Sequence, residues 1–178
     1  GGGGSGDTMG ITRALLANSA LSSALVATLY DPRAAETAFN AGEGAWVDLQ
    51  LGEWQGATNE APLQVRAQVI ACSDQPVLAT GPFYAGCEID LGKMVRLKIQ
   101  HIEAIVVSRK VQAADQAILT HLGAIPMEYG VLVLKSSVHF RADFQSLAQR
   151  VLVVQSPGLN RAELSGLSFQ YLAKEVTF

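Results

Sequence analysis

Hydrophobic and polar positions along the chain follow two patterns, which predict two kinds of strand. Short, nearly continuous apolar runs occupy residues 24–30, 103–108 and 131–134, and their length is typical of buried strands. Residues 46–51 and 63–70 instead alternate apolar and polar side chains, as strands with one solvated face do. The pattern therefore predicts buried strands towards both ends of the chain and antiparallel strands in its middle third.

Helix signals lie between the apolar runs. Asp31-Pro32 is a typical N-cap followed by proline at the first helical position, and Gly42 is a typical C-terminal glycine. A helix is also predicted over residues 115–122, and helical apolar spacing recurs over residues 140–148. The alternation of buried strands and helices predicts parallel strands that are covered on both faces.

These elements predict an α/β fold, with a parallel sheet flanked by helices and an inserted antiparallel β meander or small barrel. The α/β layer is assigned to residues 1–41 and 101–178, and the antiparallel insertion to about residues 42–100. A further strand is predicted at residues 151–154, and the Gln-Ser-Pro-Gly turn at residues 155–158 ends it. The remaining tail has mixed polarity, which predicts a surface position.

The chain opens with a glycine-rich segment, Gly1–Gly6, whose composition alone is typical of a flexible linker. The alternative is a native glycine loop whose backbone approaches a ligand closely. Asp7 and Thr8, which follow, are N-cap candidates for a helix with apolar residues from Ile11 onward. Because the first residue is not Met, we expect a fragment, a processed product or a tagged protein.

Composition argues against several classes of protein. The chain is 49% hydrophobic and 16% charged, which favours a packed core over disorder. A net charge of −3 gives no general attraction to nucleic acid or anionic membranes. No apolar run approaches the roughly 20 residues that span a bilayer, and no signal peptide is evident. We therefore expect a cytoplasmic protein with neither nucleic acid nor membrane as a partner.

The cysteines and histidines do not form a zinc-ligand motif. Cys72 and Cys87 are far apart in sequence, and His101, His121 and His139 are scattered. Cys72 ends a strand-like run, which indicates a small core residue, and a disulfide with Cys87 remains open. The first two histidines lie in contexts that favour structural roles.

A polar cluster follows the apolar run at residues 131–134, where a strand is predicted to lead into a helix. It contains two cations, two hydroxyls and one imidazole, namely Lys135, Arg141, Ser136, Ser137 and His139. In open α/β sheets ligands bind at the carboxyl ends of strands, and helix N-termini there favour anions. The alternative is that Ser137 only caps the helix and Arg141 is solvated; the sequence leaves both interpretations open.

Polar groups also follow the other apolar runs, as Ser108-Arg109 and Gln155-Ser156. If the strands are parallel neighbours, Arg109, Lys135 and Arg141 could converge on a carboxylate. The alternative for Arg109 is a solvated turn. His139 is a candidate acid–base group or substrate donor, or else a structural residue. Asp90 precedes a turn and is expected to bond its own backbone. No complete catalytic set is evident.

The polar cluster carries a family resemblance. Residues 135–142, Lys-Ser-Ser-Val-His-Phe-Arg-Ala, resemble a signature of the C-terminal domain of the MlrC-type family, named for microcystinase C. Further motifs resemble that family in the expected order: the opening glycines with Asp7-Thr8, Asp90-Leu91-Gly92, residues 107–112 with Asp115, and residues 156–159. The resemblance implies that the glycine start is native and that the chain is the carboxyl-terminal part of a longer protein.

The resemblance further implies a zinc-dependent metallopeptidase, whose His and carboxylate ligands belong to a preceding N-terminal domain of the same polypeptide. That domain and a small peptide or amide substrate are the expected partners, and the sequence leaves open whether the protein forms a homodimer. This chain is expected to bind no zinc itself and to be inactive when isolated.

No residue here is assigned as catalytic or metal-ligating. The expected role is to form one wall of the active cleft through substrate-binding groups: Gly3, Gly4, Asp7, Arg109, Lys135, Ser136, His139 and Arg141. The competing hypothesis is a non-catalytic domain that binds a small anion or mediates dimerisation.

Overall fold

The computed structural model describes residues 6–21, 23–52 and 61–154. Helices in this part are α1 (Gly10–Ala17), α2 (Pro32–Ala41), α3 (Gln116–Thr120) and α4 (Arg141–Phe144). Strands are β1 (Ala24–Tyr30), β2 (Trp46–Leu51), β3 (Leu63–Ser73), β4 (Val77–Leu78), β5 (Glu88–Ile89), β6 (Met94–Ile99), β7 (Ile102–Val107) and β8 (Val131–Leu134). Short 3₁₀ turns occupy Pro126–Glu128 and Gln145–Leu147. Within the described residues, no helix combines the length and apolar character that crossing a membrane requires.

The main sheet is mixed, with strand order β2-β3-β6-β7-β1-β8. Strand β1 pairs in parallel with β7 on one side and with β8 on the other. Strands β2, β3, β6 and β7 pair antiparallel, and β4 and β5 form a separate two-stranded sheet. The predicted α/β fold is confirmed. The antiparallel segment is a meander that extends the same sheet through the β6–β7 pair, and it does not close into a barrel.

Strand β1 lies at the centre of the parallel part and is buried on both faces. Ala24, Val26 and Leu29 belong to one core cluster, to which α1 and α2 contribute. Leu25 and Ala27 belong to the opposite cluster, to which α3 and α4 contribute. Burial on both faces explains why β1 is a continuous apolar run rather than an alternating one.

Local helix signals in the sequence are confirmed at α2 and α3. The Asp31 carboxylate accepts a hydrogen bond from Ala34 N at 3.1 Å, Pro32 starts α2, and Gly42 ends it with φ +82°. Asp115 caps α3 by accepting from Ala117 N at 2.9 Å. These helices begin where the sequence predicts because short-range hydrogen bonds decide their ends.

A polar network joins β6 and β7 to the segment after α3. Arg96 donates to Glu103 at 2.7 Å and to the Tyr129 hydroxyl at 2.9 Å, and that hydroxyl donates to Glu103 at 2.6 Å. Burial would raise the pKa of Glu103, but hydrogen bonds from Tyr129 and Arg96 and nearby positive charge outweigh it and lower the pKa. Burial, followed by the bond to Glu103, raises the pKa of Tyr129.

Two local predictions are wrong, and a third is confirmed only in part. Asp7 and Thr8 do not cap α1, since its N-cap is Met9 and no side chain bonds there. Residues 151–154 form no strand, and Val153 is 74% exposed, because an apolar run without a pairing partner makes no ladder. Residues 140–148 form only the short α4 and a 3₁₀ turn. Predictions for residues 1–5, 155–158 and 159–178 lie outside the described residues.

Cys72 and Cys87 are both free thiols, so the open question of a disulfide between them is answered against it. Cys72 is half-buried and packs against the first core cluster, whereas Cys87 is exposed. Burial, followed by the charges of Glu43 and Asp74, raises the pKa of the Cys72 thiol. Cys72 is therefore a structural side chain at the end of β3.

Candidate functional site

The N-terminal segment 6–9 lies across the carboxyl ends of the parallel strands. Tyr30, the last residue of β1, donates its N–H to the Gly6 carbonyl at 3.0 Å. Lys135 follows the last residue of β8 and donates from Nζ to the Thr8 carbonyl oxygen at 2.7 Å and to Thr8 Oγ1 at 3.2 Å. The segment is thus fastened at this edge by bonds to β1 and to the residue after β8.

Gly52 supports the same segment from the end of β2. Its N–H donates to Asp31 Oδ2 at 2.8 Å, and its φ is +71°. A Cβ at this position would lie 2.2 Å from the Asp7 carbonyl oxygen and 2.7 Å from the Met9 side chain. Asp7 is completely buried there. Asp7, which was predicted to bind substrate, is therefore part of the packing that holds segment 6–9 in place.

Gln112 organises the polar cluster after β8. Its Oε1 lies 3.3 Å from Ser136 Oγ and 3.1 Å from His139 Nδ1. Ser136 Oγ also accepts the N–H of Phe140 at 3.2 Å, which makes Ser136, and not Ser137, the side chain that bonds the backbone before α4. Ser136 and His139 are therefore held in fixed positions relative to the loop after β7.

The His139 ring lies against an aromatic side chain from the β4–β5 connection. Its centroid is 4.1 Å from that of Phe83 and the two planes differ by 19°, which is a stacked arrangement. Tyr84 packs edge-on against Phe83 at 4.6 Å. Burial, followed by the negative charge of Asp115, raises the pKa of Tyr84. The stack and the bond to Gln112 together fix the orientation of the imidazole.

Two aspartates fix the loops that carry these groups. Asp115 Oδ2 accepts the N–H of Gly81 at 2.8 Å, which ties the Phe83 loop to α3. Asp143 Oδ2 accepts the N–H of Gln116 at 2.6 Å, which ties α4 to the start of α3. Both carboxylates are thus explained by backbone bonds that hold the site together.

Arg109 and Arg141 make contacts outside this cluster. The Arg109 guanidinium pairs with Asp90, whose Oδ1 also accepts the N–H of Gly92 at 2.8 Å, as expected for a turn aspartate. Arg141 lies over the Phe140 ring at 5.2 Å and donates to Gln145 at 3.1 Å. Both arginines are exposed. Convergence of Arg109, Lys135 and Arg141 on one ligand therefore remains a prediction.

Among the predicted site residues, the structure brings Ser136 and His139 together through Gln112, whereas the Lys135 ammonium bonds Thr8; Gly3 and Gly4 lie outside the described residues. Sequence reasoning did not single out Gln112, Phe83 or Thr8 as contacts of this cluster. Gln112 lies in one of the family motifs, which was the available signal. No sequence signal pointed to Phe83, because its stacking partner, His139, is distant in sequence.

A cavity of about 220 Å³ lies between α2 and β2, and its lining residues are different from those of the polar cluster. Its walls come from Arg33, Ala34, Thr37, Asp48, Leu49 and Gln50. None of the predicted site residues lines it, so the carboxyl edge rather than this cavity is the candidate site.

The residues described here do not fit a zinc site. Across residues 6–21, 23–52 and 61–154, no group of three or more His, Cys, Asp and Glu side chains is arranged to hold a metal ion. The polar groups that meet at Gln112 are an amide, a hydroxyl and an imidazole. This set suits hydrogen bonding to a ligand rather than metal coordination.

Comparisons with known proteins identify two relatives of this chain. The chain is 29% identical over 156 residues to microcystinase C from Sphingomonas sp., covering 88% of this chain and 30% of that protein. A crystal structure from Mesorhizobium sp. BNC1, provisionally described as a metallopeptidase, matches with a TM-score of 0.73 and 27% identity, covering 86% of this chain and 30% of that one.

The chain therefore spans 30% of the length of each of these two relatives. A family model described as the MlrC C-terminus matches residues 1–171, a range that includes the opening glycine run. Because that match covers nearly the whole sequence, the chain belongs to the MlrC C-terminus family.

Proposed function

We propose that this chain is the C-terminal domain of a zinc-dependent metallopeptidase or amidohydrolase of the microcystinase C type, and that it forms one wall of the active cleft. Family membership and the metallopeptidase description of a structural relative support the enzyme class. The observation that carries the assignment of this wall is that Ser136 and His139 meet at Gln112 directly after Lys135, at the carboxyl edge of the sheet.

The proposal places the zinc ligands outside this chain, in an N-terminal metal-binding domain of the same polypeptide. Zinc bound there would polarise the substrate amide and activate water. Residues of this chain would bind and orient a small peptide or amide substrate, which lowers the entropic cost of reaching the reactive geometry. The isolated chain would then be inactive.

Individual groups would act by charge and position. The Lys135 ammonium is anchored beside the Thr8 backbone and supplies positive charge at the strand ends. The exposed guanidinium groups of Arg109 and Arg141 suit the planar carboxylate of a peptide terminus. The glycine loop with Gly3 and Gly4, followed by Asp7, would let the backbone approach the substrate.

The test is to purify the full-length protein, measure its zinc content and screen it against linear peptides. The proposal expects bound zinc and peptide cleavage. Lys135→Ala and His139→Ala should each lower turnover at least about tenfold at a temperature where both variants remain folded by circular dichroism. Lys110→Ala, which removes a nearby exposed ammonium, is the matched control and should change turnover little.

Two results would count against different parts of the proposal. Full-length protein without zinc and without peptide cleavage would overturn the enzyme assignment in favour of a non-catalytic domain that binds a small anion or dimerises. Unchanged kinetics in Lys135→Ala and His139→Ala, with cleavage intact, would instead overturn the role of this cluster and leave the enzyme class standing.

A further inference from the structure

The protonation pattern of His139 follows from the partners around Gln112. The backbone N–H of Phe140 can only donate, so Ser136 Oγ accepts in that 3.2 Å bond. The Ser136 hydroxyl hydrogen is then available for Gln112 Oε1, at 3.3 Å. The opposite orientation of the Gln112 amide would leave this hydroxyl hydrogen without an acceptor in the described part of the chain.

The oriented amide decides the tautomer of the imidazole. With its oxygen towards the cluster, Gln112 can only accept, so His139 Nδ1 must carry the proton across the 3.1 Å contact. In the neutral ring, Nε2 then carries a lone pair. The ring is partly exposed and lies flat on Phe83, and within the described residues Nε2 has no hydrogen-bond partner.

We propose that Gln112 is a positioning residue that holds His139 as the Nδ1–H tautomer and leaves Nε2 to accept a hydrogen bond from a ligand, such as a substrate amide N–H. The part that concerns the ligand rests on the proposed function, whereas the tautomer does not. At this point the site would therefore select a hydrogen-bond donor, and carbonyl or carboxylate groups would be bound by its cations.

Nuclear magnetic resonance of the ¹⁵N-labelled chain tests the tautomer without any enzyme activity. At about pH 8.5, where an ordinary histidine is neutral, long-range ¹H–¹⁵N correlation distinguishes a protonated from an unprotonated ring nitrogen. His139, assigned by its proton contacts with Phe83, should show the Nδ1–H pattern. An Nε2–H pattern, or an average of both, would overturn the proposal.

The chain contains a matched internal control. His101 Nε2 lies 3.0 Å from the carbonyl oxygen of Leu15, which can only accept, so His101 must be the Nε2–H tautomer. Its spectrum should therefore show the pattern opposite to that of His139. Identical patterns for both rings would contradict the argument from hydrogen-bond partners.

Two substitutions of Gln112 test whether its acceptor oxygen sets the tautomer of His139. Gln112→Glu keeps an acceptor oxygen and should preserve the Nδ1–H pattern of His139, whereas Gln112→Ala should convert it to a mixture of tautomers. A pure Nδ1–H pattern in folded Gln112→Ala would overturn the positioning role. If that variant does not fold, Ser136→Ala supplies the second test, since loss of the orienting bond should also reduce the Nδ1–H population.

Testing the part of the proposal that concerns the ligand requires the full-length protein and a linear peptide that it cleaves. In a series with single amide N–H groups replaced by N–CH₃, one replacement should lower kcat/KM about tenfold, and the loss should shrink to within twofold in His139→Ala. Equal losses in both proteins would overturn the donor assignment. A protein that cleaves no peptide would overturn the proposed function while the tautomer measurement still stands.

Discussion

The Lys135 ammonium lies 2.7 Å from the carbonyl oxygen of Thr8, a residue 127 positions earlier in the chain. The same ammonium lies 3.2 Å from the Thr8 hydroxyl. These bonds fasten the N-terminal segment to the residue after β8, at the edge where ligands bind in open α/β sheets. A side chain predicted from sequence as a ligand group is thus also a structural link.

The first prediction concerns this link. Lys135→Met should lower the free energy of unfolding by about 1.5–3 kcal/mol, because hydrogen bonds to a charged group in a partly buried position are lost. Lys110→Met is the control, since its exposed ammonium lies over the Tyr30 ring at 5.4 Å and should contribute at most about 1 kcal/mol. Urea denaturation of both variants measures the difference, and equal losses would contradict the assigned role.

The second prediction concerns the packing of Gly52 against the N-terminal segment. Gly44→Ala should cost about 1–2 kcal/mol, since φ there is +83° and a Cβ would meet nothing within 4 Å. Gly52→Ala should cost about 1–3 kcal/mol more, because its Cβ would also lie 2.2 Å from the Asp7 carbonyl oxygen. Comparable unfolding midpoints for the two variants would contradict this prediction, because they would show that the N-terminal segment moves aside for the added methyl group at little cost.

The third prediction concerns the pH dependence of the Tyr129–Glu103 bond. Near neutral pH, Tyr129→Phe should cost about 1–3 kcal/mol, because Glu103 and Arg96 lose a buried partner. The raised pKa of Tyr129 contributes stability that is complete below the usual tyrosine value of about 10 and is lost as pH rises beyond it. Tyr129→Phe should therefore approach the parent protein in stability under alkaline conditions.

At acidic pH, the change of stability with pH has the opposite sign. The lowered pKa of Glu103 contributes stability that is complete above its unfolded value of about 4.3 and is lost as pH falls through the folded value. Unfolding free energies across both limbs test this, and Tyr84→Phe is the control for the acidic limb, because its hydroxyl has no hydrogen bond in the described residues. A pH-independent difference between Tyr129→Phe and the parent would contradict the network.

The fourth prediction separates stability from binding at Arg109. Its ion pair with Asp90 is exposed, so Arg109→Ala should cost less than about 1 kcal/mol of stability. In the full-length protein, the same change should raise KM for a peptide with a free terminal carboxylate more than for its amidated counterpart. Arg66→Ala, on β3, is the control and should leave both values unchanged. Equal effects on both peptides would exclude carboxylate recognition by Arg109.

Sequence reasoning succeeded where the determinants are close together in the chain. Asp31, Pro32 and Gly42 specify α2 through hydrogen bonds and backbone angles within one helix. The apolar run of β1 likewise follows from burial on both faces of the sheet, whereas β8 is half-buried at the sheet edge. These signals were sufficient to predict the α/β class and the position of the polar edge.

The failures share a different cause. Asp7 resembled a helix cap, but it is buried and its backbone packs closely against Gly52, which is distant in sequence. Residues 151–154 resembled a strand, but hydrophobicity does not specify a pairing partner. Gln112 was overlooked because an amide in a loop gains its role only from Ser136 and His139 across the fold. Composition and periodicity cannot report such long-range contacts.

A single amide oxygen at Gln112 serves both Ser136 and His139, so these three side chains form one hydrogen-bonded unit. Removing the acceptor oxygen at residue 112 would leave both the Ser136 hydroxyl and the His139 Nδ1 without this partner. Anyone who redesigns this edge to accept a new substrate would therefore have to replace all three residues together.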